Sequence, residues 1–197
     1  MNGDKMIISI CLLAAGESKR FRGEKLIHLY KKKNLVEHVL DLINSLNSHD
    51  SIQFRKLIVT KPTLMNFFLS TVSKQWLVIE NAGFRSGMSS SLRIAVAQAK
   101  KSQSEFILLF LADMPDIQSN TVRTVLDLMT QNPDKIIRPV YLSQPGFPVA
   151  LPKSLFQELS QLEGDCGAKP VIEKHKDQLI LHQTNDIGSI FDIDRDN

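Results

Sequence analysis

Six apolar residues in succession, Phe106-Ile107-Leu108-Leu109-Phe110-Leu111, stop abruptly at Ala112-Asp113-Met114-Pro115. So short a run with no polar position reads as a strand buried on both faces, which requires a sheet covered on both sides. Met6-Ile7-Ile8-Ser9-Ile10-Cys11-Leu12 has the same character and is rich in β-branched residues. Residues 56–60, 76–80, 135–140 and 179–182 read as further strands, and 149–151 is a short apolar stretch after the turn Pro145-Gly146-Phe147-Pro148. Helical patterns fill the intervals. Asn34 is placed to cap a helix with apolar positions at Leu35, Val36, Val39, Leu40, Leu42, Ile43 and Leu46. A polar break follows at 48–51, and Pro62 suits the first position of a helix through residue 73. Gly87-Met88-Ser89-Ser90-Ser91-Leu92 opens the next, Ser119 caps one through 131, Ser154 starts one ending near 162, and 169–174 forms a short one. Strands alternating with helices predict an α/β fold with a mostly parallel sheet.

The length of 197 residues fits one domain, spanning 1–197, with no linker, repeat or low-complexity segment. A net charge of +3, scattered along the chain, argues against a nucleic-acid partner. The one dense basic run, Lys31-Lys32-Lys33, reads as a solvated turn. Cys11 and Cys166 make no disulfide framework and point to a reducing compartment. Asp4 and Lys5 lead straight into the first strand without the pattern of a signal peptide, and no apolar stretch reaches the length of a membrane span. The expectation is a soluble, cytoplasmic protein.

Ligands of such sheets bind outside the carboxyl ends of the strands, where Gly16 and Asp113 both fall. The first strand runs into Leu13-Ala14-Ala15-Gly16-Glu17-Ser18-Lys19-Arg20-Phe21-Arg22-Gly23-Glu24-Lys25. Ala14, Ala15 and Gly16 leave backbone N–H groups open to an anion, and Arg20 and Lys25 add two cations in the same loop. That combination suits a polyphosphate, although it matches neither G-x-G-x-x-G nor the Gly-Lys-Ser/Thr ending of a P-loop. Asp113, at the end of a buried strand, requires a partner or a cation, and beside a phosphate loop Mg²⁺ is the natural one. Asp192-Ile193-Asp194 is a second acidic pair, flanked by apolar Ile190 and Phe191, which suggests a docked strand. Two residues apart in a strand, both carboxylates face one side. The hydroxyls and N–H groups at Gly87, Ser89 and Ser91 suit a helix N-terminus near a nucleotide. The five histidines have no ligand spacing.

The first loop resembles LAAGxSxRxGxxK, the signature of nucleotidyltransferases that use a nucleoside triphosphate and release pyrophosphate. The resemblance is to the molybdopterin cytidylyltransferase group. It runs from Ile8 to Asp194, with motifs in the family's order: Leu-Ala-Asp-Met-Pro at 111–115, Gly-Met-x-x-Ser-Leu at 87–92, Gly-Asp-x-Gly-Ala at 164–168 and Asp-Ile-Asp at 192–194. It implies a Rossmann-like three-layer nucleotidyltransferase fold and cytidylyl transfer from CTP to molybdopterin carrying molybdenum. The implied catalytic residues are Arg20, Lys25 and Asp113. The implied nucleotide site is Leu13, Ala14, Ala15, Gly16, Arg20, Lys25, Gly87, Ser89 and Ser91. The implied Mg²⁺ ligands are Asp113 with Asp192 or Asp194. A molybdenum hydroxylase of the xanthine dehydrogenase type would receive the product. Leu-Ala-Ala-Gly resembles the CTP-using group, where guanylyl-transferring relatives have Leu-Ala-Gly-Gly.

Four departures stand out. Arg22 takes the place of the family's Gly, and Gly23 comes one residue later, so the loop either gains a charge or shifts its turn. Phe147 replaces the His of Gly-His-Pro-Val, Lys169 replaces an Arg, and the family's Thr-Pro-Glu-Asp after Asp-Ile-Asp is missing. Two rivals follow: transfer to another small phosphate acceptor such as a sugar or polyol phosphate, or a non-catalytic chaperone that carries the cofactor to a molybdoenzyme.

Overall fold

The computed structural model describes residues 5–18, 21, 23–46 and 51–194. The strands are β1 (Met6–Ala14), β2 (Leu29–Tyr30), β3 (Lys33–Asn34), β4 (Ile52–Thr60), β5 (Trp76–Glu80), β6 (Phe106–Leu111), β7 (Ile136–Tyr141), β8 (Gln144–Pro145), β9 (Val149–Pro152) and β10 (Leu179–Gln183). The helices are α1 (Leu35–Asn44), α2 (Met65–Thr71), α3 (Met88–Lys101), α4 (Ser119–Gln131), α5 (Phe156–Leu159) and α6 (Lys169–Lys174). The main sheet has the order β10-β7-β9-β6-β1-β4-β5. β1 is parallel to β4 and β6, β4 to β5 and β7 to β10, while β9 is antiparallel between β6 and β7. This is the mostly parallel sheet that the apolar runs predict.

Alternation along β1 divides the interior in two. Ile8, Ile10, Leu12 and Ala14 face α1 and α4, while Cys11 and Leu13 face α3, α5 and α6. α1 contributes Val36, Val39, Leu40 and Ile43 to the first layer, and α3 contributes Leu92, Ala95, Val96 and Ala99 to the second. The Cys11 thiol, wholly buried in this core, is pushed far up by burial and is inert. Among the described residues no helix is long and apolar enough to cross a membrane.

Local signals place most ends. The Glu37 carboxylate accepts from the Asn34 N–H at 2.8 Å at the start of α1, the reciprocal half of a capping box. Lys31 and Lys32 adopt φ of 45° and 75° and close the β2–β3 hairpin. Three expectations change. Ser119 is the first residue of α4 and Gln118 precedes it as the cap; Asp186 accepts from the Gln118 N–H at 2.8 Å and from the Thr121 hydroxyl at 2.7 Å. The helix expected at 154–162 shrinks to one 3-10 turn and α5, with the chain leaving helix at Ser160. Residues 190–194 dock but are no strand: a 3-10 turn at Ile187–Ser189 leads into chain that joins no sheet. The polar break at 48–51 falls mainly outside the described residues.

Candidate active site

A cavity of about 580 Å³ opens at the carboxyl edge of β1 and β6. Leu13, Ala14, Ala15 and Gly16 form one wall as β1 runs out. Thr60, at the end of β4, donates its hydroxyl to the Ala14 carbonyl at 3.3 Å and holds the point of departure. A Cβ added at Gly16 would meet nothing within 4 Å, so the chain is open to the cavity there. Further on, Ser18 adopts φ +51° and Gly23 φ +91°, the glycine standing one residue later than in the family pattern. Arg20 and Arg22 lie outside the described residues.

At the cavity floor Lys25 Nζ donates to Asp113 Oδ2 at 2.8 Å and to Asp194 Oδ1 at 3.1 Å. Its side chain is only 5% exposed. Burial alone would lower the ammonium's pKa, but the charges and hydrogen bonds of Asp113 and Asp194 outweigh it, and Lys25 is raised above its ordinary value. Asp192 joins them: one oxygen from each of Asp113, Asp192 and Asp194 lies within 4.8 Å of the others. The Asp192 carboxyl is pushed up, first by desolvation and then by the charges of Asp194 and Asp113. Three converging carboxylates are hard oxygen donors, and Mg²⁺ or Mn²⁺ takes one or two of these together with phosphate oxygens. The donor set therefore fits a divalent ion. It comes together because the Ile193 N–H donates to the Asp113 carbonyl at 3.1 Å and Ile193 packs on the core, so residues 192–194 are fixed against the loop that carries Asp113.

The opposite wall is the start of α3, and here the expected open N-terminus is filled. The Met88 N–H donates to Asp165 Oδ1 at 2.8 Å, the Ser89 N–H to the Gly164 carbonyl at 3.2 Å and the Ser90 N–H to the Gly87 carbonyl at 3.2 Å. Gly87, φ +93°, is forced by this contact, since an added Cβ would lie 2.6 Å from the Gly164 carbonyl carbon. Ser89 is placed differently from its expected nucleotide role. It is wholly buried, donates its hydroxyl to the Glu163 carbonyl at 3.2 Å and lines no part of the cavity. The helical turn that puts Ser91 on the cavity side puts Ser89 against the 163–166 loop. Gly87 and Ser91 do line the cavity, and the Ser91 hydroxyl accepts from Asn81 Nδ2 at 2.9 Å.

Asp165 and the pair Arg85 and Glu17 line the cavity although the motif reading gave them no role. Asp165 caps α3 from 77 residues away, and its signal was the Gly-Asp-x-Gly-Ala string. Arg85 lies 3.9 Å from Glu17 across the mouth, and nothing in the local sequence marks that pair. Phe147 does not line the cavity: it is half-buried against both core layers, with the Arg138 guanidinium 5.8 Å from its ring.

A family model described as the MobA-like NTP transferase domain matches residues 10–179. Rv0371c of Mycobacterium tuberculosis H37Rv has TM-score 0.78 at 20% identity, covering 98% of this chain and 95% of that one. Its complex with manganese gives 0.68 at 19% identity, covering 91% and 88%. A nucleotidyl transferase of Methanothermobacter thermautotroptrophicus, Mth528, has TM-score 0.74 at 16% identity, covering 95% and 92%. The 4-diphosphocytidyl-2C-methyl-D-erythritolsynthase of Anaerococcus prevotii DSM 20548 gives 0.73 at 13%, covering 96% and 91%. At these identities the likeness establishes the fold. No curated protein matches the chain significantly in sequence.

Proposed function

The chain belongs to the MobA-like NTP transferase domain family, and from that premise we propose that it moves a cytidylyl group from CTP to molybdopterin carrying molybdenum, releasing pyrophosphate. The observation that carries this reading is Lys25, held between Asp113 and Asp194 on the floor of the cavity whose wall is Leu-Ala-Ala-Gly. An acceptor phosphate oxygen attacks the α-phosphorus, the bond to the bridging oxygen breaks, and pyrophosphate leaves with the electron pair. The attacking oxygen is already anionic, so no strong general base is required, and among the described residues the cavity lining includes no His or Cys.

The barrier lies in anion repulsion and in charge growing on the leaving group. Lys25, raised and therefore charged through neutral pH, supplies one fixed cation. A cation about 4 Å from a phosphate charge is worth roughly 4 kcal/mol at a surface-like dielectric. The open chain at Gly16 lets phosphate oxygens approach the backbone. Asp113, with Asp192 and Asp194, would hold Mg²⁺, whose charge neutralises the phosphates when it is bound. With its first N–H groups already taken by Asp165, Gly164 and Gly87, α3 contributes side chains and shape to the ligand, and the triphosphate is left to the first loop.

Ala15 lines the cavity and is 5% exposed, and its methyl group favours a pyrimidine over the larger purine. A cytidylylated cofactor made here would pass to a molybdenum hydroxylase of the xanthine dehydrogenase type. Label transfer from CTP and from GTP, with molybdopterin and a panel of sugar and polyol phosphates, tests the reading. It predicts transfer to molybdopterin with CTP preferred. Transfer only to a sugar phosphate would replace the acceptor, and cofactor binding without pyrophosphate release would make the protein a carrier.

A further inference from the structure

Lys61 is a buried charge that the proposed reaction leaves unused. It follows Thr60 at the carboxyl end of β4, and Pro62 behind it favours the extended backbone it adopts, φ −79° and ψ 158°. Its side chain is 7% exposed and its Nζ lies 2.8 Å from Glu24 Oε2. That oxygen is itself buried and has no other polar partner among the described residues, so the ion pair with Lys61 is what satisfies it. Glu24 directly precedes Lys25, at the N-cap of the 3-10 turn Lys25–Ile27, and its side chain makes no cap hydrogen bond there. The carboxylate is therefore turned to Lys61 and away from the turn it begins.

Burying an ammonium is costly, and an apolar pair of the same shape is often no less stable. An ion pair differs from such a contact in fixing one carboxylate against one ammonium. Here it joins the residue before Lys25 to the strand next to β1. The first loop is then fixed at its start by Ala14, which pairs with Thr60, and at its end by Glu24, held by Lys61.

We propose that Lys61, acting through Glu24, is a positioning residue that sets Lys25 for phosphate binding; this rests on the reading of Lys25 as a phosphate-binding cation. The test is a double-mutant cycle on affinity for inorganic tripolyphosphate with Mg²⁺, measured by titration calorimetry on the whole chain. Lys61→Met keeps the apolar stem and removes the charge, and it weakens binding about tenfold if Lys25 is displaced. In a Lys25→Ala background the same change costs less than about twofold, because the residue it acts through is gone. Equal losses in both backgrounds, or no loss in either, would overturn the proposal. If Lys61→Met does not fold, Glu24→Gln takes its place in the cycle with the same expectations. Coupling in the cycle without cytidylyl transfer keeps this inference and removes the proposed reaction. Failure of the unaltered chain to bind tripolyphosphate removes both.

Discussion

At Lys25 burial disfavours the ammonium while Asp113 and Asp194, at 2.8 and 3.1 Å, favour it, and the carboxylates prevail. The same acids converge with Asp192 into a set of hard donors, so one lysine and three aspartates share a single electrostatic problem. Much of this was legible, because a charge at the end of an apolar run demands a partner. That was true of Asp113 after β6 and not of Asp165, whose partner is 77 residues away. At Ala15 the expected consequence is smaller. Ala15→Gly removes one methyl group, worth about 1 kcal/mol at most, so the proposed preference for CTP over GTP is expected to fall several-fold without reversing. Competition kinetics at fixed acceptor measure the ratio; a shift toward CTP would contradict the role given to the methyl.

Two glycines lock the terminal segment that brings Asp192 and Asp194 to the site. A Cβ on Gly188 would lie 2.0 Å from the Asp116 carbonyl oxygen, and one on Gly146 would lie 2.4 Å from that of Ser189. Neither contact is local, so neither glycine's need was readable in the sequence; nor was Asp186, which caps α4 from 68 residues away. β5 and β6 were readable to the residue, because apolar runs bounded by polar residues leave little choice of ends. Gly188→Ala overpacks the segment and is expected to cost about 1–3 kcal/mol, seen as a lower Tm together with weaker Mn²⁺ affinity. A lower Tm with unchanged affinity would mean the segment does not position Asp192 and Asp194 for a metal.

The β2–β3 hairpin is tied to the same region from its other side. Asp116 accepts from the Tyr30 hydroxyl at 2.6 Å and from Lys31 at 2.7 Å. Burial raises the Asp116 pKa, but the hydrogen bonds from Lys31 and Tyr30 overcome it and hold the carboxyl below its ordinary value. A depressed folded-state pKa gives stability that is present above the unfolded value, about 3.9, and is lost as pH falls through the folded value. The stability difference between the parent chain and Asp116→Asn should therefore be largest near neutral pH and shrink below pH 4. Urea unfolding across that range measures it, and a gap that widens in acid would contradict the assignment.

Across the whole molecule, one sheet edge gathers loops from distant parts of the chain, and the fold's function follows from what those loops carry. The parallel β1, β4 and β6 all end at that edge, delivering Gly16, Lys61 and Asp113 side by side. The antiparallel β9 lets the chain turn back so that residues 163–168 cap α3, and β10 returns it for the terminal acids. Alternating apolar runs and helices made the layers predictable, while contacts between layers needed the structure. The central claim is that the carboxylate cluster and the first loop form one site for a metal-bound triphosphate. Electron paramagnetic resonance of added Mn²⁺, with and without CTP, tests it most directly. The account predicts one Mn²⁺ whose affinity rises with CTP, and a loss of about tenfold or more in Asp113→Asn in a chain that still folds. Equal Mn²⁺ affinity in the two proteins, or no response to CTP, would contradict it.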